Sequence, residues 1–226
     1  MLGIHMGLKP VLVAEYSEQF ELLVVEIQVA NISIRIITGY GPNEIWEDKE
    51  RLPFYIALEK EVASPELEGK SILIAMNANA KLGEKYIPND PKSMTKNGKV
   101  LADILNRHAL VVVNGIKDRC TGLITRERIT INGAEKSVID FVIASHDIIK
   151  HLDYIHIDDQ RVHVLTRNRK TKTGVDISKS DHNIIETKFN IEWNSKEAKV
   201  IEVFKFKDAA AKKKFKEDTT ETSELS

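Results

Sequence analysis

Ser180-Asp181-His182 places an acid and an imidazole side by side, directly before the apolar and polar alternation from Asn183 to Ile191. Such alternation is typical of a β-strand. A carboxylate and an imidazole at the mouth of a strand can bind a metal ion and hold a phosphate group. Three such residues in a row are common in soluble proteins, where they usually cap or turn the chain, so the tripeptide needs support from residues upstream.

An aspartate interrupts the apolar run Val138-Ile139-Asp140-Phe141-Val142. An ionised carboxylate is costly to bury without a partner, so we expect Asp140 to pair with another side chain. His182 is the natural candidate, because a carboxylate bonded to one ring nitrogen fixes the tautomer and favours the imidazolium. The other nitrogen could then reach a phosphoryl oxygen. The alternative is an outward-facing aspartate on an alternating strand.

Two asparagines, Asn77 and Asn79, follow the short apolar run Ser71–Met76, which predicts a buried strand. On a strand, side chains two residues apart leave by the same face. Two amides there could position a water molecule or a phosphate oxygen, since each carries donors and an acceptor. The alternative is an Asx turn that ends the strand.

Two hydroxyl groups are further candidates for phosphate contact. Tyr40 lies where the apolar strand Ile32–Thr38 gives way to Gly41-Pro42, and its ring could equally belong to the core. Thr125, within Leu123-Ile124-Thr125-Arg126, is a comparable donor.

Charge is distributed unevenly along the chain. The formal net charge is −1, but residues 1–76 carry 6 basic and 12 acidic residues, and residues 77–190 carry 19 and 14. Ahead of Ser180, the stretch from Arg161 to Lys172 holds five basic residues and no acidic one: Arg161, Arg167, Arg169, Lys170 and Lys172. Such a stretch could contact the backbone of a polyanion, since lysine and arginine displace its condensed counterions. A solvated hairpin loop is the alternative.

Composition indicates one domain and a tail. With 226 residues, 42% of them hydrophobic, the chain is long enough for one sizeable core, which we place at residues 1–193. Residues 194–226 are charged and predicted to be a helical or disordered tail. The single cysteine, Cys120, suits a reducing intracellular setting. No stretch approaches the roughly 20 apolar residues of a membrane span, so we expect a soluble protein with no membrane partner.

Periodicity predicts strands with interspersed helices, an order that favours two packed sheets with helices outside. The predicted helices are Glu44–Val62, Asn97–His108 and His146–His151. The predicted strands are Val11–Glu15, Leu22–Val29, Ile32–Thr38, Ser71–Met76, Leu110–Val113, Arg128–Ile131, Lys136–Ile143, Tyr154–Ile157, Arg161–Leu165 and Asn183–Ile191, with hairpin turns at Ala30-Asn31 and Asn132-Gly133.

Five motifs, taken in order, resemble the endonuclease/exonuclease/phosphatase superfamily, and in particular the apurinic-type endonuclease domain of non-LTR retrotransposons. They are Tyr40-Gly41-Pro42, Asn77-Ala78-Asn79-Ala80-Lys81-Leu82-Gly83, Val112-Val113-Asn114-Gly115, Ser137-Val138-Ile139-Asp140-Phe141 and Ser180-Asp181-His182. The resemblance covers roughly Gly7 to Phe189. It implies a four-layer α/β sandwich, two packed mixed sheets flanked by helices, and hydrolysis of a DNA phosphodiester that depends on Mg²⁺, with Mn²⁺ as a substitute.

The resemblance also implies a role for each motif residue. Tyr40 would contact the scissile phosphate, and Asn79 would orient water and phosphate. Asp140 would support His182, which would stabilise charge on the phosphoryl oxygens. Asp181 would lie at the metal ion. We assign contacts with the DNA backbone to Thr125, Ser180, Arg167, Arg169 and Lys170.

Two departures from the family pattern predict an impaired enzyme. Asn77 stands where the family has an aspartate that orients or deprotonates the attacking water, and an amide cannot accept that proton. Loss of a general base costs about 10²–10⁴ in rate. The family's first strands, which carry an asparagine and a metal-binding glutamate, should precede Met1, so the domain is expected to lack them.

The leading hypothesis is a weakened retrotransposon endonuclease that nicks target DNA in the nucleus, beside a reverse transcriptase domain in the full-length element. A second hypothesis is a non-catalytic protein that keeps the fold and binds nucleic acid or another partner. A third is a phosphatase of the same superfamily. The sequence leaves the oligomeric state open.

Overall fold

The computed structural model describes residues 8, 10–17, 20–64, 68–90, 92–131, 133–163, 166–171 and 174–191. The expected tail, residues 194–226, lies outside the described residues.

Three α-helices, a short 3-10 helix at Val113–Gly115 and thirteen strands make up this described part of the chain. The helices are α1 (Asp48–Ala63), α2 (Lys96–Arg107) and α3 (His146–Ile149). The strands are β1 (Val11–Tyr16), β2 (Glu21–Val29), β3 (Ile32–Tyr40), β4 (Lys70–Asn77), β5 (Val111–Val112), β6 (Cys120–Thr121), β7 (Arg126–Thr130), β8 (Gly133–Ser137), β9 (Asp140–Ala144), β10 (Leu152–Ile157), β11 (Thr166–Thr171), β12 (Gly174–Lys179) and β13 (Ile185–Phe189).

The strands form two mixed sheets and two hairpins. The main sheet has the order β1-β2-β3-β4-β9-β5, in which β3 and β4 run parallel and the other neighbours antiparallel. The second sheet has the order β13-β10-β6. Strands β7 and β8 form one hairpin, and β11 and β12 form the other.

The main sheet has two buried faces. On one face Ile74 of β4 packs in a cluster with Phe54 of α1, so the two long helices cover this side. On the opposite face Leu73 and Val142 belong to a cluster with Ile155 of β10, so this side packs on the second sheet. Alternate residues of one strand therefore serve the two layers, as the two-residue period of a strand requires. The predicted α/β sandwich of packed mixed sheets with outer helices is confirmed.

Most predicted elements are present with ends shifted by a few residues, and two predictions are wrong. Lys136–Ile143 is not one strand: it breaks at Val138-Ile139, because β8 remains in its hairpin while β9 enters the main sheet. Residues 161–163 form no strand, and the basic stretch beyond them lies on β11 of a hairpin rather than in a loop.

No helix within the described ranges is long and apolar enough to cross a lipid bilayer.

Candidate active site

A row of four residues crosses the end of the main sheet. Strand register pairs Glu21 with Tyr40, Tyr40 with Asn77, and Asn77 with Asp140. Asn77 lies four residues after Leu73, so its side chain leaves β4 on the face that packs on the second sheet. The register of β2, β3, β4 and β9 thus gathers polar residues far apart in sequence at the rim between the two sheets.

Asn79 does not share a strand with Asn77. Strand β4 ends at Asn77, and Asn79 adopts a left-handed backbone with φ of 44°. The Asn77 Oδ1 atom accepts the Asn79 backbone N–H at 2.8 Å, which is the Asx turn that ends a strand. The prediction that both side chains leave one face of a strand is therefore wrong. They still meet the same loop.

That loop begins at Gly41 and runs close against the Asn77–Asn79 turn. The Gly41 N–H donates to Asn77 O at 2.6 Å, and Asn79 Nδ2 donates to Gly41 O at 2.7 Å. A Cβ at residue 41 would lie 2.3 Å from Ala78 O, so this approach requires glycine. The contact fixes where the chain leaves Tyr40.

Asn97, which the motif analysis did not single out, holds both loops from the start of α2. Its side chain is fully buried. Its Nδ2 atom donates to Pro42 O at 2.9 Å and to Asn79 O at 3.1 Å. Its Oδ1 atom accepts Arg51 Nη1 at 3.1 Å. One amide of α2 therefore positions the loop that follows Tyr40 and the loop that carries Asn79.

The structure contains the predicted contact between Asp140 and His182. Asp140 Oδ2 lies 2.8 Å from His182 Nδ1, and both side chains are largely buried. Asp140 lies at the start of β9 in the main sheet, whereas His182 lies just before β13 of the second sheet. The pair thus joins the two sheets at the rim and directs the Nε2 atom of the ring away from Asp140.

Asp181 is paired with an arginine that the motif analysis left unassigned. Arg126 Nε donates to Asp181 Oδ2 at 2.9 Å, and His182 Nε2 lies 3.7 Å from Asp181 Oδ1. Burial alone would raise the pKa of the Asp181 carboxyl, but the Arg126 hydrogen bond and the charges of His182 and Arg126 together lower this pKa below its usual value. Asp181 is therefore an ionised carboxylate that already has a cation beside it.

Arg161 holds the peptide of Ser180 from a strained turn. Its backbone φ is 56°, and its guanidinium donates to Ser180 O and to Glu127 O. The Ser180 Oγ atom accepts the His182 N–H at 3.1 Å, which leaves the hydroxyl proton of Ser180 to donate elsewhere. These contacts fix the backbone that carries Asp181 and His182 against β7.

Thr125 supports β9 rather than facing outward. The residue is fully buried, and its Oγ1 atom accepts the N–H groups of Ile139 and Asp140 at 2.9 and 3.1 Å. We predicted a direct contact between Thr125 and DNA, but in the structure its hydroxyl oxygen is occupied by these two backbone N–H groups. The structure reassigns Thr125 to positioning Asp140.

Three predicted DNA contacts lie on β11. Arg167, Arg169 and Lys170 fall within this strand, and their side chains lie outside the described part of the structure. Strand β12 follows in the hairpin and ends at Lys179, directly before Ser180. The basic hairpin therefore leads straight into the site.

Asn77 carries a buried hydrogen-bond donor without a partner. The residue is 0% exposed, and its Nδ2 atom has no acceptor among the described residues. Because Oδ1 is committed to Asn79, the amide cannot turn to satisfy this group. An unsatisfied buried donor costs about 1–3 kcal/mol, so the position favours an oxygen acceptor from outside the chain.

The described donors do not fit a resident Mg²⁺ ion. Mg²⁺ prefers anionic oxygens and usually keeps one or two protein carboxylates. Here Asp181 is bound by Arg126, Asp140 is bound by His182, and the free end of the Asn77 amide is an N–H group that repels a cation. No group of three or more histidine, cysteine, aspartate or glutamate side chains suited to a metal occurs in the described ranges.

No family model matches this chain, and no curated protein matches its sequence.

Solved structures do resemble it in fold. The 3'-5' exonuclease NExo from Neisseria meningitidis is 13% identical with a TM-score of 0.52, over 74% of this chain and 65% of that one. A substituted form of NExo, described as a 3' phosphatase bound to a product DNA hairpin, is 15% identical with a TM-score of 0.51 over the same shares. The endonuclease domain of TRAS1, a telomere-specific non-LTR retrotransposon, is 18% identical with a TM-score of 0.49, over 83% of this chain and 71% of that one.

The chain thus spans 65% of the length of the Neisseria exonuclease that it matches. At these identities the likeness shows a shared fold, so this chain has the fold of the Neisseria exonuclease over the matched part.

Proposed function

We propose that this chain is a weakened nuclease that binds the phosphate backbone of DNA at the rim between its two sheets and hydrolyses a phosphodiester slowly. The observation that carries the proposal is the 2.8 Å contact between Asp140 and His182. Asp140 also lies opposite Asn77 in the main sheet. An imidazole oriented by a carboxylate, together with a buried amide donor, forms a set suited to binding an oxyanion.

Each residue would act on the phosphate in a defined way. Asp140 holds the ring of His182 through Nδ1, so Nε2 is free to donate to a phosphoryl oxygen as charge develops there. Asn97 fixes the loop that carries Asn79 and the loop that follows Tyr40, and both residues would orient the phosphate. The basic residues of β11 would contact neighbouring phosphates of the DNA backbone.

The weak step is activation of water. Asn77 can orient a water molecule through its amide but cannot remove a proton from it. A missing general base lowers the rate by about 10²–10⁴, so we expect slow hydrolysis. The family resemblance implies Mg²⁺ or Mn²⁺ at Asp181, but Arg126 already binds this carboxylate and the described donors do not form a site for the ion.

A supercoiled-plasmid nicking assay tests this function. The chain, the Asn77→Asp variant and the Asn77→Asp, His182→Ala double variant are compared in Mg²⁺, in Mn²⁺ and in EDTA. We expect slow nicking by the chain, faster nicking by Asn77→Asp, and loss of that gain in the double variant. If Asn77→Asp nicks DNA at the same rate with and without His182, the hydrolytic assignment is wrong.

A second candidate is DNA binding without hydrolysis, which the Asn77 amide and the Arg126–Asp181 pair favour. Fluorescence anisotropy would then show salt-dependent binding by a chain that never nicks. Neutralising Arg167, Arg169 and Lys170 should weaken that binding and reduce its salt dependence.

A further inference from the structure

We infer that this site holds a DNA phosphate without a divalent metal ion, with Arg126 supplying the positive charge and Asn77 the buried donor. The inference rests on the proposed function, since it concerns how the same site recognises its phosphate.

The first argument is the charge already present. Arg126 lies against Asp181 at 2.9 Å, and His182 lies against Asp140 at 2.8 Å. Asp140 and Asp181 are therefore each matched by a side chain that carries or can carry a positive charge. A divalent cation placed beside Asp181 would lie close to the guanidinium and be repelled by it. A phosphate brought to the same place would meet the guanidinium and the imidazole.

The second argument is the direction of the Asn77 amide. Its oxygen accepts the Asn79 N–H, so the group left over in the buried row is Nδ2, a donor. A donor needs an acceptor oxygen, which a phosphate has and a metal ion lacks. An aspartate at this place would reverse the preference, because its oxygens accept and carry negative charge.

The third argument is that the arginine is built into the site. Arg126 forms a β-bridge with His182, and the neighbouring Glu127 N–H donates to Asp181 O at 2.8 Å. Among the described residues, the side chain is engaged through Nε alone, by Asp181. The guanidinium is thus held in place by β7 while its other N–H groups remain as donors for phosphate oxygens, in the fork geometry that suits them.

The test measures binding of a fluorescein-labelled duplex DNA by anisotropy, in EDTA and in Mg²⁺ at equal ionic strength. The unaltered chain should bind equally well in both buffers. Arg126→Gln should weaken binding in EDTA by about tenfold or more, since hydrogen bonds to charged groups are worth that much. Asn77→Asp should weaken binding in EDTA by roughly tenfold, and the affinity of this variant should be restored in Mg²⁺.

Arg128→Gln is the matched control, because Arg128 lies two residues along the same strand and is exposed. It removes the same charge and should change the dissociation constant by less than about twofold. Arg126→Lys keeps the charge, and its dissociation constant should lie between those of Arg126→Gln and Arg128→Gln. Circular dichroism and the thermal midpoint identify any variant that has lost its fold.

Three results would overturn the inference and leave the proposed function intact: binding by the unaltered chain that requires Mg²⁺, equal losses in Arg126→Gln and Arg128→Gln, or undiminished binding of Asn77→Asp in EDTA. Failure of the unaltered chain to bind DNA in either buffer would remove the proposed function itself.

Discussion

Asp140 lies in the main sheet and His182 lies just before a strand of the second sheet, and the 2.8 Å contact between them joins the two sheets at their rim. Neither residue alone would define a site. Asp140 holds the Nδ1 atom of His182, so the Nε2 atom of the ring is the one that can bind a ligand. The buried amide of Asn77 lies opposite Asp140.

Asp140→Asn keeps the shape of the side chain and removes its charge. In an Asn77→Asp background that nicks DNA, we expect kcat to fall by about 10²–10⁴ with little change in KM, because the ring of His182 loses its support during the reaction rather than a binding contact. Steady-state nicking kinetics measure both constants. Asp153→Asn, which removes an aspartate paired with Lys188 away from the site, should leave them unchanged. Equal effects of the two variants would contradict the role given to Asp140.

Asn97→Ala removes the amide that joins two loops of the site. It leaves the buried carbonyls of Pro42 and Asn79 without a donor, so the free energy of unfolding should fall by about 2–4 kcal/mol. Urea denaturation measures the change. Lys99→Ala alters an exposed position of the same helix and should change the free energy of unfolding by less than about 0.5 kcal/mol. If the two variants are equally stable, Asn97 does not hold these loops.

Asp158→Asn tests a carboxylate that accepts the N–H groups of Val162 and His163 and so stabilises the turn that contains Arg161. Burial raises the pKa of Asp158, but hydrogen bonds from the His163 and Val162 N–H groups and the nearby histidines outweigh it, and the pKa is lowered. A lowered pKa in the folded state stabilises the protein fully above the ordinary value of about 3.9, and this stabilisation is lost as the pH falls through the folded value.

Asp158→Asn should therefore lower the free energy of unfolding by about 1–3 kcal/mol from about pH 5 to about pH 8, and by progressively less below about pH 4. Denaturation curves across this pH range measure the difference. Asp118→Asn, at an exposed position, serves as the control and should change the free energy of unfolding by less than about 0.5 kcal/mol. A difference that persists undiminished at low pH would contradict the assignment.

The central residues of the site could be predicted because their positions follow from local rules. The cost of burying Asp140 predicted a partner, and the end of an apolar run predicted where Asn77 would emerge. Asn97 and Arg126 carry no comparable signal. Arg126 meets Asp181 across 55 residues and Asn97 meets Pro42 across 55, so their roles appear only when the sheets pack.

Other errors arose where the backbone departs from the ideal strand. Asn79 adopts a left-handed conformation, so the two-residue period that places side chains on a strand does not apply to it. The run Lys136–Ile143 is predicted as one strand because it is rich in valine, isoleucine and phenylalanine. In the structure, Val138-Ile139 carries the chain from the β7–β8 hairpin into the main sheet. Periodicity reports the face of a residue, and it does not report which layer receives the strand.

The position of Asn77 in one sheet and His182 beside the other has a consequence for the domain as a whole. A phosphate bound to both residues would link the two sheets, so its binding free energy would oppose their separation. At a DNA concentration 100 times the dissociation constant, such linkage adds about 2.7 kcal/mol to the stability of the fold. The chain would then be most resistant to heat and proteolysis when it lies on DNA.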